Sequence, residues 1–203
     1  MNDIPDLPEI AIVGGGIGGL TLCAALDRVG VRATIYEQAA AITPLGAGIQ
    51  LTANATKALA GLGVLDEIRA QSFEPEIGYN REGDTGVVTN ELPMGKAIEA
   101  AYGAPDLALN RAVLQFALLR RIPEGALRLG YRLRSVVPRG ERVRLDFEDG
   151  RSVEADAVIG ADSIHSVVRE ALFGAFRQGF LALARRTSVA EHALVHQRMS
   201  RIQ

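Results

Sequence analysis

Cysteine is nearly absent from this chain. Cys23 is the only one, which excludes a disulfide framework. Charge of one sign is lacking as well: a net charge of −2 makes no case for nucleic acid or an anionic membrane as partner. Long apolar runs are missing too. Glycine or a charged residue breaks each of them well before the ~20 residues that a membrane span needs. Met1 to Pro8 is acidic and proline-bearing, without the basic-then-apolar pattern of a signal peptide, so a cytoplasmic protein is expected. Histidine is scarce. His192 and His196 are one helical turn apart, but no acid follows the first as in H-E-x-x-H and no third ligand is apparent, so no metal site is assigned.

What is present is an ordinary globular composition, 48% hydrophobic and 23% charged over 203 residues. That is enough for one good core, or one domain and part of another. The most informative stretch is Glu9 to Leu20. Glu9 to Val13 is an apolar run ending abruptly in glycine, which predicts a fully buried parallel strand. Gly14, Gly16 and Gly19 then fill a G-x-G-x-x-G turn. From Ile17 to Val29 small and apolar residues recur at helical spacing until Gly30. In such a unit the first glycine allows the tight turn, the second admits a pyrophosphate to bare backbone, and the third lets helix and strand pack closely. The helix start offers free N–H groups and partial positive charge to phosphate. A second apolar strand, Arg32 to Tyr36, ends in Glu37, 18 residues after Gly19, near where a ribose-binding acid belongs. Strand, turn, helix, strand and acid in this order predict an adenine-dinucleotide site. Cys23, on the apolar side of that helix, reads as packing.

Further along, Gly46 to Thr52 holds a short strand, and Asn54 is a candidate N-cap for a helix running to Gly61. A helical piece over Val64 to Ala70 follows. Two strand-like segments then flank the turn Glu82-Gly-Asp-Thr-Gly86, predicting a hairpin that interrupts the α/β rhythm. The rhythm resumes with a strand over Asp106 to Leu109, and Asn110 is a candidate cap for the helix Ala112 to Arg121, with Arg111 at its mouth. Tyr131–Val137 and Arg142–Phe147 read as an antiparallel pair. The arginines there are interleaved with acids, which indicates a solvated face. Ala155 to Ala161 is another buried strand, leading into Asp162-Ser-Ile-His-Ser-Val-Val-Arg169. His165 in that stretch reads as a surface residue.

Three motifs, the Gly14–Gly19 unit with Glu37, Gly46-Ala-Gly-Ile-Gln-Leu-Thr-Ala-Asn54, and Gly160 to Arg169, occur in the order found in one family. Over residues 8 to 173 the chain resembles the FAD-dependent aromatic hydroxylases of the para-hydroxybenzoate hydroxylase type, in particular the salicylate hydroxylase and 6-hydroxynicotinate 3-monooxygenase branch. The resemblance implies an α/β fold: a Rossmann-like FAD-binding domain from residues 1–72 and 105–174, with an inserted, incomplete β-rich substrate domain over 73–104. It implies that Gly14, Gly16, Gly18 and Gly19 cradle the FAD pyrophosphate, and that Glu37, with Gln38 beside it, binds the adenosine ribose. It places Gln50 by the flavin, Arg111 at the ribityl–phosphate region, and Asp162 at a turn linked to both FAD and the nicotinamide cofactor. Catalytic side chains stay unassigned. The implied chemistry is reduction of FAD by NAD(P)H, addition of O2 at flavin C4a, and transfer of oxygen from the hydroperoxide to a small aromatic substrate, with a homodimer as a compatible assembly. Ser163 departs from the pattern, since the family has glycine there. If the position needs positive φ, serine costs roughly 1 kcal/mol or more.

The family's second-half Gly-Asp motif is not found, and residues 175–203 form an atypical basic tail with five arginines and one acid, Glu191. A truncated or frame-shifted product is therefore expected. The rival readings are a non-catalytic FAD-binding remnant and an NAD(P)-dependent dehydrogenase.

Overall fold

A computed structural model describes residues 8–43 and 47–174. The predicted first strand forms as β1 (Ile10–Val13), followed by α1 (Ile17–Arg28) and β2 (Ala33–Glu37). α1 ends where Gly30, at φ +78°, takes the left-handed conformation that an L side chain resists. β1 and β2 pair in parallel, Ile10 opposite Ala33 and Val13 opposite Tyr36. Two later strands complete this sheet, β7 (Leu127–Leu129) beside β2 and β11 (Ala157–Gly160) beside β1. The order is β11-β1-β2-β7, with every pairing parallel.

The uninterrupted apolar character of β1 follows from burial on both faces. Ile12 points to one side, into a cluster with Leu20, Cys23, Ala24, Ile35, Leu114 and Leu118. Ala11 and Val13 point to the other, against Leu133, Leu145, Phe147 and Ala155. The first side is covered by α1 and by α5 (Arg111–Leu119). The second is covered by an antiparallel meander of β8 (Leu133–Arg139), β9 (Arg142–Phe147) and β10 (Ser152–Ala155). The sheet is thus a middle layer. Burying Phe147 fully is worth about 2–3 kcal/mol. Cys23 is packed in this core as expected, and burial, with Asp27 nearby, pushes its thiol up to about 11. It stays protonated and unreactive at neutral pH.

The middle of the chain differs from the sequence reading in three respects. β3 (Gly48–Leu51) pairs antiparallel with β6 (Leu107–Asn110), so the strand with which the α/β rhythm resumes stands in a separate two-stranded sheet and not in the parallel one. Phe73 bridges to Ala108 at its edge. Next, α2 (Ala53–Gly61) is not capped by Asn54, which lies inside the first turn. The N–H of Ala53 is met instead by buried Asp106, whose Oδ1 accepts it at 2.9 Å, while Thr56 Oγ1 donates to the Pro105 carbonyl at 2.7 Å. A helix, α4 (Lys96–Tyr102), also stands where no element is predicted.

Other expectations hold. α3 (Leu65–Arg69) and the hairpin of β4 (Ile77–Arg81) and β5 (Val88–Pro93) form where predicted. Asn110 caps α5, accepting the Ala112 N–H at 2.9 Å. A 3-10 turn (Ser163–His165) leads into α6 (Val167–Phe173). The basic tail with His192 and His196 lies outside the described residues, as does Gly46 of the second motif.

Candidate cofactor site

The carboxyl ends of β1, β2 and β11 open onto one cleft of about 570 Å³. This is where a parallel sheet presents its ligands, because the strand-to-helix turns expose backbone N–H groups there. Gly14 leaves β1 at φ +107°, and a Cβ on it would lie 2.3 Å from the Ala161 carbonyl oxygen at the end of β11. A Cβ on Gly19 would lie 2.0 Å from the Gly14 carbonyl oxygen. These two glycines are demanded by protein packing. Gly16 is different: nothing lies within 4 Å of its missing Cβ, and it lines the cleft. Its bare backbone faces open space, as the close approach of a pyrophosphate requires. Gly18 is exposed in the first turn of α1, outside the cleft lining.

Glu37, at the end of β2, ties this corner together before any ligand is present. Its Oε2 accepts the Gly15 N–H at 2.6 Å and its Oε1 accepts the Ala39 N–H at 2.8 Å. Its carbonyl accepts the Tyr131 N–H at 2.8 Å. Each carboxylate oxygen retains a lone pair for a further donor. Gln38 follows on the exposed wall of the cleft.

Across the cleft, Asp162 organises the start of α6. Its Oδ2 accepts the N–H groups of Val167 and Val168 at 2.7 and 3.3 Å, and its Oδ1 accepts the Ser166 hydroxyl at 2.5 Å. This compact turn places Ser163 at φ +67°, the only non-glycine residue at positive φ among those described. The expectation that the position needs a glycine-like backbone is therefore met by the geometry. His165, in the same turn, is exposed at the cleft rim.

Arg111 enters from the start of α5. Its backbone N–H donates to the Ala47 carbonyl at 2.8 Å, while its guanidinium makes no ion pair or side-chain hydrogen bond with the described residues. It is a cation in a cleft without a carboxylate partner, which suits an anionic ligand. Gln50, like Gly18 and Gly19, does not line the cleft; it is exposed on β3.

Sequence reasoning missed several lining residues. Gly15 contributes the N–H that Glu37 holds. Tyr36 and Tyr131 form an aromatic wall with Phe147, at centroid distances of 5.3 Å between the tyrosines and 4.9 Å from Tyr131 to Phe147. The Arg151 guanidinium lies 3.5 Å over the Tyr131 ring. Burial, followed by the nearby charge of Glu9, raises the Tyr36 hydroxyl above its usual range, so it stays a neutral donor. Gln115, one turn beyond Arg111, is buried against the cleft. No local pattern marks these residues; only the convergence of the turn after β1, the end of β2, the stretch before β8 and α5 brings them together.

The open backbone at Gly16, the unpaired Arg111 and the free lone pairs of Glu37 fit a dinucleotide with a pyrophosphate and a ribose. The signature of the FAD binding domain matches residues 8–197 of this sequence. The chain belongs to that family. The match runs past residue 173, where the sequence reading lost the pattern. The 6-hydroxynicotinate 3-monooxygenase of Bordetella bronchiseptica is 38% identical over 168 residues, covering 83% of this chain and 44% of that protein. The 3-amino-4-hydroxybenzoate 2-monooxygenase of Streptomyces cremeus is 39% identical over 164 residues, covering 81% and 42%. Among solved structures, Klebsiella pneumoniae HpxO complexed with FAD and uric acid superposes with a TM-score of 0.70 at 26% identity, covering 80% of this chain and 41% of that one. The 2,6-dihydroxypyridine-3-hydroxylase of Arthrobacter nicotinovorans gives 0.69 at 27%, covering 84% and 41%. This chain therefore spans about two-fifths of the length of these relatives. FAD is the cofactor of the family, which displaces the dehydrogenase reading. Among the described residues no helix is long and apolar enough to cross a membrane.

Proposed function

We propose that this chain binds FAD in the described cleft and belongs to an enzyme that hydroxylates a small aromatic or heteroaromatic ring, using NAD(P)H and O2. One observation carries the reading. Gly14, Gly16, Glu37, Gln38, Arg111 and Asp162, chosen from separate stretches of sequence, all line one cleft at the carboxyl ends of the parallel strands. In this reading the turn from Gly14 to Gly19 receives the pyrophosphate, with Gly18 and Gly19 setting the start of α1. Arg111 supplies the neutralising charge. The free lone pairs of Glu37 accept ribose hydroxyls, with Gln38 beside them. Asp162, already occupied by three donors, acts through the turn it holds. When bound, FAD would supply the redox chemistry, carrying two electrons from NAD(P)H to O2, so that one oxygen atom would enter the ring and the other leave as water. The protein's part is to hold the cofactor and exclude solvent. The substrates in the relatives' names, hydroxylated aromatic acids, suggest the class to try, and dependence on NAD(P)H suits a cytoplasmic location.

The test is reconstitution of the full chain with excess FAD, desalting, and an absorption spectrum. Flavin retained near one per chain is the expected result, followed by NADH or NADPH oxidation with hydroxybenzoates and hydroxynicotinates. Loss of all flavin on desalting overturns the reading for this polypeptide. A second reading, FAD binding without turnover, is favoured by the position of Gln50, which is exposed and outside the cleft. Retained flavin with no substrate-dependent oxidation or product would select it.

A further inference from the structure

The segment from Glu74 to Gly103 leaves the body of the domain and returns to it between two fixed ends. At the entry, Phe73 and Ala108 exchange backbone hydrogen bonds, both at 2.8 Å. At the return, Ala104, Pro105 and Asp106 are buried; Thr56 Oγ1 donates to the Pro105 carbonyl, and Asp106 accepts the Ala53 N–H. Between these ends little apolar surface holds the segment down. None of its residues belongs to either hydrophobic cluster. Its one buried residue, Gly95, lies against Pro75 and Glu76 of the segment itself, and α4 buries no side chain. What order it has is internal: β4 and β5 pair with each other, and the Met94 N–H donates to the Glu76 carbonyl at 2.9 Å.

Among the described residues, all hydrogen bonds from this segment to the rest of the chain go to one guanidinium. Arg69 Nε and Nη2 donate to the two Glu74 carboxylate oxygens at 2.6 and 3.0 Å, and Nη1 and Nη2 to those of Glu99 at 2.9 and 3.1 Å. A planar fork thus meets a carboxylate on each side. Its support is firm, because the preceding Ile68 is fully buried. Glu74 directly follows the anchored Phe73, so its bond constrains little more. Glu99 is on the returning arm, and its bond decides whether the segment stays down. All three side chains are over a third exposed, so water and salt compete for them. Gly103 joins α4 to the anchored Ala104 at φ +73°, and the nearest atom to its missing Cβ is 3.9 Å away. A residue so placed can absorb a change of direction.

We propose that residues 74–103 form a latched flap, with the Arg69–Glu99 pair as the latch. When Glu99 leaves Arg69, α4 loosens and the β4–β5 hairpin swings away from the body with its own ladder intact. The device is electrostatic, so ionic strength shifts it. It does not depend on FAD.

The experiment places spin labels on the full chain at Asp84→Cys, in the hairpin turn, and at Glu124→Cys, before β7, both exposed. Cys23 is buried and stays unlabelled. Label-to-label distances are measured at low salt and at ~1 M, where screening acts within about 3 Å. They are measured again with Arg69→Gln and, separately, with Glu99→Gln. Amide protection of the parallel strands is the folding control. The expected result is one distance population at low salt and a displaced one that rises roughly fivefold at high salt and in each variant. The variants should no longer respond to salt, and protection across the β4–β5 ladder should match that of the unaltered chain. Unchanged distances in both variants would overturn the latch, and so would a salt response that survives in them. Displacement accompanied by loss of protection across the ladder would show melting and overturn the flap. The salt comparison alters neither Arg69 nor Glu99, so it stands even where a variant fails to fold; unchanged distances there would also overturn the proposal.

Discussion

The glycine corner and the hairpin segment are built on opposite terms. In the corner, β1 is buried on both faces, two glycines sit within clashing distance of neighbouring backbone, and Glu37 and Asp162 hold the turns with short hydrogen bonds. In the segment from Phe73 to Tyr102, β4 and β5 pair with each other in a two-stranded sheet, and Phe73, Ile77, Tyr79, Leu92 and Tyr102 are exposed. Its tether is Arg69, which spans Glu74 at 2.6 Å and Glu99 at 2.9 Å, joining the end of α3 to α4. The two regions teach where precision is needed. A bare-backbone phosphate site tolerates little movement, so it is fixed by packing. A hairpin held by half-exposed ion pairs gains little from each of them.

The largest effect should come from testing this difference with one substitution in each region. Gly19→Ala places a methyl against the Gly14 carbonyl and should cost ~3 kcal/mol or more, with loss of flavin binding. Gly86→Ala, at φ +70° in the hairpin turn with open space around it, should cost only ~1 kcal/mol and leave flavin binding intact. Urea unfolding and flavin retention of both variants measure the contrast. Equal losses would mean that the corner is no more constrained than the hairpin.

A middle-sized effect of opposite sign is expected at Ser163, the one strained non-glycine residue described in the corner. Ser163→Gly relieves a left-handed backbone at φ +67° and should stabilise by ~1 kcal/mol, read as a higher melting temperature. A fall instead would mean that the serine side chain makes a compensating contact.

The smallest effect concerns pH. The hydrogen bond from Arg69 holds the Glu99 carboxyl below its ordinary range. A carboxyl with a depressed folded pKa contributes stability above its unfolded value and loses it as pH falls through the folded one. Amide protection factors over Lys96–Tyr102, taken relative to the intrinsic exchange rate at each pH, should therefore fall below roughly pH 4, while the parallel strands stay protected. In Arg69→Ala the Glu99 carboxyl should titrate higher, as followed by its side-chain carbon resonance. An unchanged titration would remove Arg69 as the tether.

Legibility followed the range of the interactions. The Gly14–Gly19 turn and the Asn110 cap were readable because each lies within a few residues, where spacing and side-chain reach settle the outcome. Asn54 was misread as a cap because the group that meets the Ala53 N–H, Asp106, is 53 residues away in sequence. The strand Leu107–Asn110 was recognised, yet its antiparallel partner β3 was not, since an apolar run carries no mark of which edge it joins. Glu37 was legible as an acid at the right distance, but its hold on Gly15 was not. Gln115 carried no local signal at all.

The sequence by itself determined the strand–turn–helix unit, the positions that must be glycine, the acid after the second strand and the family to which these belong. It could do so because dihedral limits and periodicity act over a turn or two of chain. Tertiary structure alone decided that β11 lies beside β1 and brings Asp162 opposite Glu37, that Gln50 stays outside the cleft, and that Gln115 is buried against it. Those outcomes depend on which surfaces exclude water together, and burial is shared among segments that no local stretch of sequence contains.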